Sequence, residues 1–300
     1  MHIRKKRKNI TVGQIVLYLA LGAFALACLL PLLLVVIVSL STAASVDKKG
    51  FSFFPEAWTL DAYKYVVGFG DQIIRAYGMT IFESVVGTVW TILLCSMFGY
   101  VLSRKSFRLR NALSVFLLIT MLFHGGGMAD FIVKSGVYGL RNNLLVLILP
   151  GVSAYTCFVM RAFIQSNVPD SLVESAKMDG AGEFFIYLRI ILPLIIPACA
   201  ALGFMQFVGK WNEWYSAYLY LDDPKYATLQ LVLTRIEKNI EYLRNNMEML
   251  SPEQIKELAK IPAIPTRMAM LLVTLGPIFF MYPFFQKYFI KGIVVGAVKG

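Results

Sequence analysis

Apolar positions gather into six runs along the chain, 15–40, 79–102, 112–131, 144–163, 192–215 and 268–289, with polar or mixed segments between them. About 20 apolar residues in a helix cross a hydrocarbon core of about 30 Å. In lipid a backbone can satisfy its own hydrogen bonds only as a helix or a closed barrel. The pattern predicts an all-α, polytopic membrane protein, six transmembrane helices in one domain over 1–300. The third and fourth runs are the least regular, because Gly125-Gly126-Gly127 and Gly151 interrupt them. The first run has basic residues before it and Ser41-Thr42-Ala43-Ala44-Ser45 after it, as a secretory leader would. It exceeds the roughly 7–15 apolar residues of a leader and reads as a membrane span.

Composition agrees: 58% hydrophobic and 16% charged residues lie far from soluble averages and exclude an ordinary globular domain. The net charge of +11 is a topology signal. With six spans, Arg4, Lys5, Lys6, Arg7 and Lys8, then Arg104, Lys105, Arg108 and Arg110, then Lys287, Lys291 and Lys299, all fall on one side. Basic residues concentrate at cytoplasmic span ends, so both termini are expected in the cytoplasm, with membrane lipid around the spans and no nucleic-acid partner. Cys28, Cys95, Cys157 and Cys199 stand singly in apolar runs and read as small buried hydrophobes. With only His2 and His124 besides, no metal site is expected.

The most informative segment is the polar insert at 166–191. Pro169-Asp170-Ser171 followed by Glu174 has the spacing of a capping box, with Ser171 as cap. Gly180 falls where a short helix would stop and turn. A second short helix over 183–191 is expected to end at Pro193, giving a helix–bend–helix knob on the cytoplasmic face. Glu174-Ser175-Ala176, Asp179-Gly180-Ala181 and Leu192-Pro193, running on to Pro197, resemble the EAA loop of binding-protein-dependent ABC importer permeases. The flanking sequence, over roughly 15–295, is similar to the carbohydrate-uptake branch, in the manner of the second maltose-transporter permease subunit. Ser175 stands where the family usually has a second Ala.

The resemblance implies the transmembrane domain of a type I ABC importer, with 166–191 as its coupling loop. Glu174 would pair with a basic residue of a separate ATPase, Gly180 would permit the bend, and Asp179 would cap or position the second helix. Leu192 and Pro193 would fix the junction with the fifth span. It further implies a second, homologous permease (a heterodimer), two ATPase subunits carrying ATP and Mg, an extracellular solute-binding protein and a sugar substrate, in a bacterial cytoplasmic membrane. No Gly-x-x-x-x-Gly-Lys-Ser/Thr sequence occurs in the chain, so ATP hydrolysis is expected on the partner, with no cofactor here and no enzymatic activity.

A second cluster is Lys210-Trp211-Asn212-Glu213-Trp214-Tyr215 with Tyr218. Charged residues inside a span tend to face a cavity. Lys210 and Glu213 could pair three residues apart, and helical spacing would set Trp211, Trp214, Tyr215 and Tyr218 along one side. Flat aromatic faces beside amide and carboxylate groups suit sugar rings. Carbohydrate permeases of the resembling type carry a similar Trp-Asn-Glu-aromatic sequence there. The competing reading is an interfacial aromatic belt. His124-Gly125-Gly126-Gly127 reads either as a helix-ending turn or as a gate.

Two external segments complete the chain. Over 41–77, Phe51, Phe53, Phe54, Trp58, Tyr63 and Tyr65 suggest an interfacial helix or a docking surface. In the external arm, 217–267, Leu233, Ile236, Ile240, Leu243, Met247 and Leu250 form one apolar stripe. Ser251 and Pro252 then restart a helix. The functional expectation is half of a translocation pathway for a carbohydrate, driven by an external ATPase. Alternatives are a non-sugar importer permease, a stand-alone secondary transporter or channel, and a membrane enzyme. The last lacks any acid–base, nucleophile or metal constellation. The transporter would want ionisable residues near the membrane midplane, where Glu83 and Arg161, placed near span ends, serve poorly.

Overall fold

The computed structural model describes residues 12–123, 125–149, 151–246, 248, 250–254 and 261–297. The basic N-terminal residues, His124, Met247 and Lys299 lie outside them. Among the described residues the chain is helical, and its only β pairing is the isolated bridge between Ser41 and Trp58. The main elements are α1 (Val12–Ser39), α2 (Gly70–Ser103), α3 (Arg110–Leu122), α4 (Ala154–Asn167), α5 (Asp170–Met178), α6 (Glu183–Trp211), α7 (Leu229–Asn245) and α8 (Ala263–Ala297).

Four helices among the described residues are long and apolar enough to cross a membrane: α1, α2, α6 and Ala263–Pro283 of α8. The other two expected spans are broken. The run at 112–131 is α3, then a short helix Gly126–Phe131 that passes into a π-helical turn, Ile132–Val137. The run at 144–163 is a single turn, Leu145–Ile148, separated from α4 around Gly151. The glycines that interrupt the apolar pattern are where the helices stop. α2 begins nine residues before its apolar run, because polar Asp71, Gln72 and Arg75 carry the helix beyond the hydrocarbon.

The chain divides into two compact units. One comprises 1–69 with 239–273. In it α1 exposes apolar side chains on all sides, as a helix surrounded by hydrocarbon does. The aromatic segment after it is not an interfacial helix. Phe51, Phe54 and Trp58 sit exposed on irregular chain between two short helices, Ala43–Lys49 and Asp61–Val67. Thr42 caps the start of the first of these, Gly50 at φ +66° ends it, and Ser45 Oγ accepts from the Glu56 N–H at 2.8 Å. Further on, Ser251 and Gln254 form the reciprocal cap expected of a helix start, with N···O distances of 2.9 and 3.3 Å.

The other unit comprises 70–238 with 274–300. At its centre α2 packs against α4 and α6. A buried cluster of Tyr100, Met160, Ile164, Val173, Ile186, Tyr187, Ile191 and Ile195 joins these three helices to α5. Within its part of α7 the predicted stripe is buried at Leu233 and Ile236, while Lys238 stays exposed. Cys95 and Cys157 are buried together in a smaller cluster, whereas Cys28 is exposed.

Candidate functional site

The knob is built on a helix stop. α5 ends at Asp179, and Gly180 takes φ +83°, where a Cβ is disfavoured. The Gly180 N–H donates to Lys177 O at 3.0 Å and the Ala181 N–H to Ala176 O at 2.9 Å. These two bonds make a Schellman motif, in which the last helical carbonyls are satisfied as the chain reverses. Ala176 and Ala181 pack on the buried cluster beneath, and Val173 is buried in it. The opposite side, with Leu172, Glu174, Ser175, Met178 and Asp179, faces outward. Glu174 forms no hydrogen bond or ion pair among the described residues. Met178 is 88% exposed, and Phe184 and Phe185 are exposed on the next helix.

Three sequence expectations change here. The helix starts at Asp170 after Pro169, one residue before Ser171, so the Ser171–Glu174 capping box does not form. Asp170 instead pairs with Arg104 at 3.2 Å, a tertiary contact at the helix start. Asp179 does not cap the second helix: it closes the first, and the second begins after Gly182 with no side-chain cap. That second helix does not stop at Pro193. It runs through a π-helical stretch, Tyr187–Ile191, into Leu192–Trp211 without a break. A proline lacks an N–H and crowds the carbonyl four residues back. For Pro193 that carbonyl belongs to Arg189, inside the π stretch, where the wider turn leaves room.

A polar clasp, absent from the sequence reading, ties the knob to α2. Tyr100 donates to Glu183 Oε2 at 2.6 Å, and Lys177 pairs with Glu183 at 2.5 Å across the bend. The buried Arg104 lies over the Tyr100 ring, 5.2 Å from its centroid, and donates to Ser103 as well as Asp170. The basic loop after α2 and the knob therefore share one end of this unit.

At the other end, a cavity of about 360 Å³ lies between α2 and α6, lined among others by Glu83, Ser153, Gln206, Lys210, Glu213 and Ser216. Only part of the predicted aromatic cluster belongs to it. α6 ends at Trp211 with Asn212 as its C-cap, and a new helix, Tyr215–Tyr220, begins after Trp214. Continuous helical spacing across 210–218 therefore fails, and the residues point apart. Lys210 and Glu213 line the cavity but make no ion pair. Lys210 donates to Leu147 O at 2.9 Å, and Glu213 accepts from the Ser216 N–H at 2.8 Å. Trp211 is buried, stacked on Phe207, and its indole N–H donates to Thr274 O at 3.1 Å. Trp214 and Tyr218 lie elsewhere, flanking the Lys238 ammonium, and Tyr215 is exposed. The glycines at 125–127 turn the chain from α3 into the next helix, Gly126 at φ +81°.

Trp211→Phe keeps the ring stack and loses one buried hydrogen bond. It is expected to lower stability by about 1 kcal/mol. Trp214→Phe should change it by less, and thermal unfolding of the detergent-purified protein compares the two.

Helices long and apolar enough to cross a membrane, a polar cavity beside two of them and an exposed, bent helical element fit a polytopic membrane protein. Residues 97–295 match the family of binding-protein-dependent transport system inner membrane components, and the chain belongs to that family. It is thus a transport component of the cell membrane. The chain is 34% identical to a polygalacturonan/rhamnogalacturonan transport system permease protein of Bacillus subtilis, over 96% of this chain and 98% of that one. It is 29% identical to an arabinooligosaccharides transport system permease protein of the same organism, over 97% of each. A solved bacterial ABC transporter involved in import of the acidic polysaccharide alginate has a chain with a similar fold, at TM-score 0.75 and 26% identity, covering 96% of this chain and 99% of that one.

Proposed function

We propose that this chain is the transmembrane permease subunit of a carbohydrate ABC importer and receives the force of ATP hydrolysis through 170–191. The observation that carries the reading is the exposed, glycine-bent knob, anchored on one side and bare on the other. Its outward face combines Glu174, which has no partner among the described residues, with Met178, Phe184 and Phe185. A charge beside exposed apolar side chains is the composition of a surface awaiting a protein. The importer-permease relatives named above carry oligo- or polysaccharides by their names, and the coverage is end to end.

On this reading the chain supplies half of a pathway. A homologous permease supplies the other half, an extracellular solute-binding protein delivers the sugar, and two ATPase subunits holding ATP and Mg bind beneath. The knob and the basic loop beside it face the cytoplasm, and the chain itself is non-catalytic. Glu174 would meet a basic residue of the ATPase. Leu192 and Pro193 would serve as part of a continuous helix and not as a joint.

Co-purification tests this directly. A tag on this chain is expected to retain a Walker-type ATPase, and Glu174→Arg should cut the retained amount about tenfold while membrane insertion is unchanged. Retention of no ATPase by the unaltered chain, or full retention by Glu174→Arg, refutes the docking assignment.

A further inference from the structure

The cavity between α2 and α6 contains a feature that the coupling reading leaves unused. Along α2, Thr80, Glu83, Ser84, Gly87 and Thr91 are buried on one face of an otherwise apolar helix. Glu83 is 1% exposed, lines the cavity, and its Oε2 has no hydrogen-bond partner. A buried carboxylate oxygen left without a donor is costly unless something supplies one. Lys210 reaches in from α6 with its stem against Gly87, one turn from Glu83; a Cβ there would lie 2.7 Å from the lysine chain. Of its three ammonium protons one goes to Leu147 O, which leaves two for the cavity. Gln206, Ser153 and Ser216 add further polar groups to the wall.

We infer that this cavity is a sugar subsite within the pathway, where the Glu83 carboxylate accepts from ring hydroxyls and Lys210 donates to ring and hydroxyl oxygens. This rests on the carbohydrate-importer reading and adds the residues and the chemistry that is read. About 360 Å³ is at the small end of ligand pockets, which run from about 300 to 1,000 Å³. It suits a short stretch of a chain, passed along, more than a whole oligosaccharide. Lys134 is already paired to Asp130 at 2.7 Å, so the charges left facing the cavity are Glu83 and Glu213 against Lys210, with no surplus of cations. The subsite therefore reads hydroxyls and gives a sugar carboxylate no advantage.

The test uses the complete importer, purified through a tag on this chain and reconstituted in vesicles, with trigalacturonic acid, its methyl ester and arabinotriose as probes. The double variant Glu83→Leu with Lys210→Met removes both charges together, so neither is left buried alone. Gly209→Phe fills the cavity instead, at a position with no atom within 4 Å of a built Cβ. Both variants are expected to keep binding-protein-stimulated ATPase activity within about twofold. Uptake per ATP should fall about tenfold for every probe that the unaltered importer carries, the charged trisaccharide and its ester alike, as expected for lost hydrogen bonds to buried charged groups. Undiminished uptake in the charge-free double variant would make the pair a helix-packing device only. Full uptake by Gly209→Phe would take the cavity off the pathway, and a loss confined to the charged trisaccharide would make Lys210 a carboxylate reader; either overturns the subsite. If the unaltered importer moves none of the probes while retaining its ATPase, the carbohydrate reading fails and the subsite with it.

Discussion

Gly180→Val is expected to leave the protein inserted and assembled yet cut ATP-driven uptake about tenfold. A Cβ added at Gly180 meets no atom within 4 Å, so the damage is not steric. It comes from the backbone. An L-residue pays about 1–2 kcal/mol in the left-handed region that φ +83° occupies, and a β-branched residue fares worst. Since about 1.4 kcal/mol is a factor of ten in an equilibrium, the bent form of the knob is depopulated by roughly that factor. ATPase activity should continue with less uptake per ATP. Gly180→Asn tests the cause, because asparagine tolerates this conformation better and should recover much of the loss. If valine and asparagine behave alike, or valine transports normally, the bend is not what matters.

The second large effect is expected from the clasp. Tyr100→Phe removes the donor to Glu183, a hydrogen bond to a charged group worth about 1.5–3 kcal/mol. Arg104→Met keeps an apolar stem over the tyrosine ring but loses the link to Asp170. That carboxylate is 60% exposed, so its ion pair adds only about 0–1 kcal/mol. The two changes act on one network and will not add cleanly. A total near 3 kcal/mol frees the knob from α2 by a factor on the order of 100. Hydrogen exchange of the amides over 170–186 reads this without reference to transport. Exchange there should accelerate by that order while α2 and α4 stay protected. Unchanged protection would mean that the buried cluster under Val173 and Ile186 holds the knob unaided.

The long spans and the bend were legible in the sequence because each follows from local chemistry. Uninterrupted apolar runs make α1, α2, α6 and α8 helical whatever they touch, and a glycine after a short helical pattern marks a reversal. Where a residue's fate depends on a distant partner, the sequence misled. Ser171 has the spacing of a cap, but the helix starts a residue earlier, at Asp170, which pairs with the distant Arg104. Pro193 looked like a stop, but the preceding π stretch absorbs it. Trp211 reads either as a pathway wall or as part of an interfacial belt, and the structure buries it with its indole N–H donating to Thr274 O. Glu83 reads as near a span end, because the apolar run starts at 79. The helix itself starts at Gly70, and that places Glu83 well inside it. The polar stripe from Thr80 to Thr91 was the available signal.

The uninterrupted course from Glu183 through the π stretch to Trp211 has a mechanical corollary. Phe184 and Phe185 at one end and Lys210 and Trp211 at the other belong to one helix, whose points of give are the π stretch and Pro197. Gln206, Gly209 and Lys210 sit on that same helix, so the knob and the chamber are joined by one continuous element of the chain.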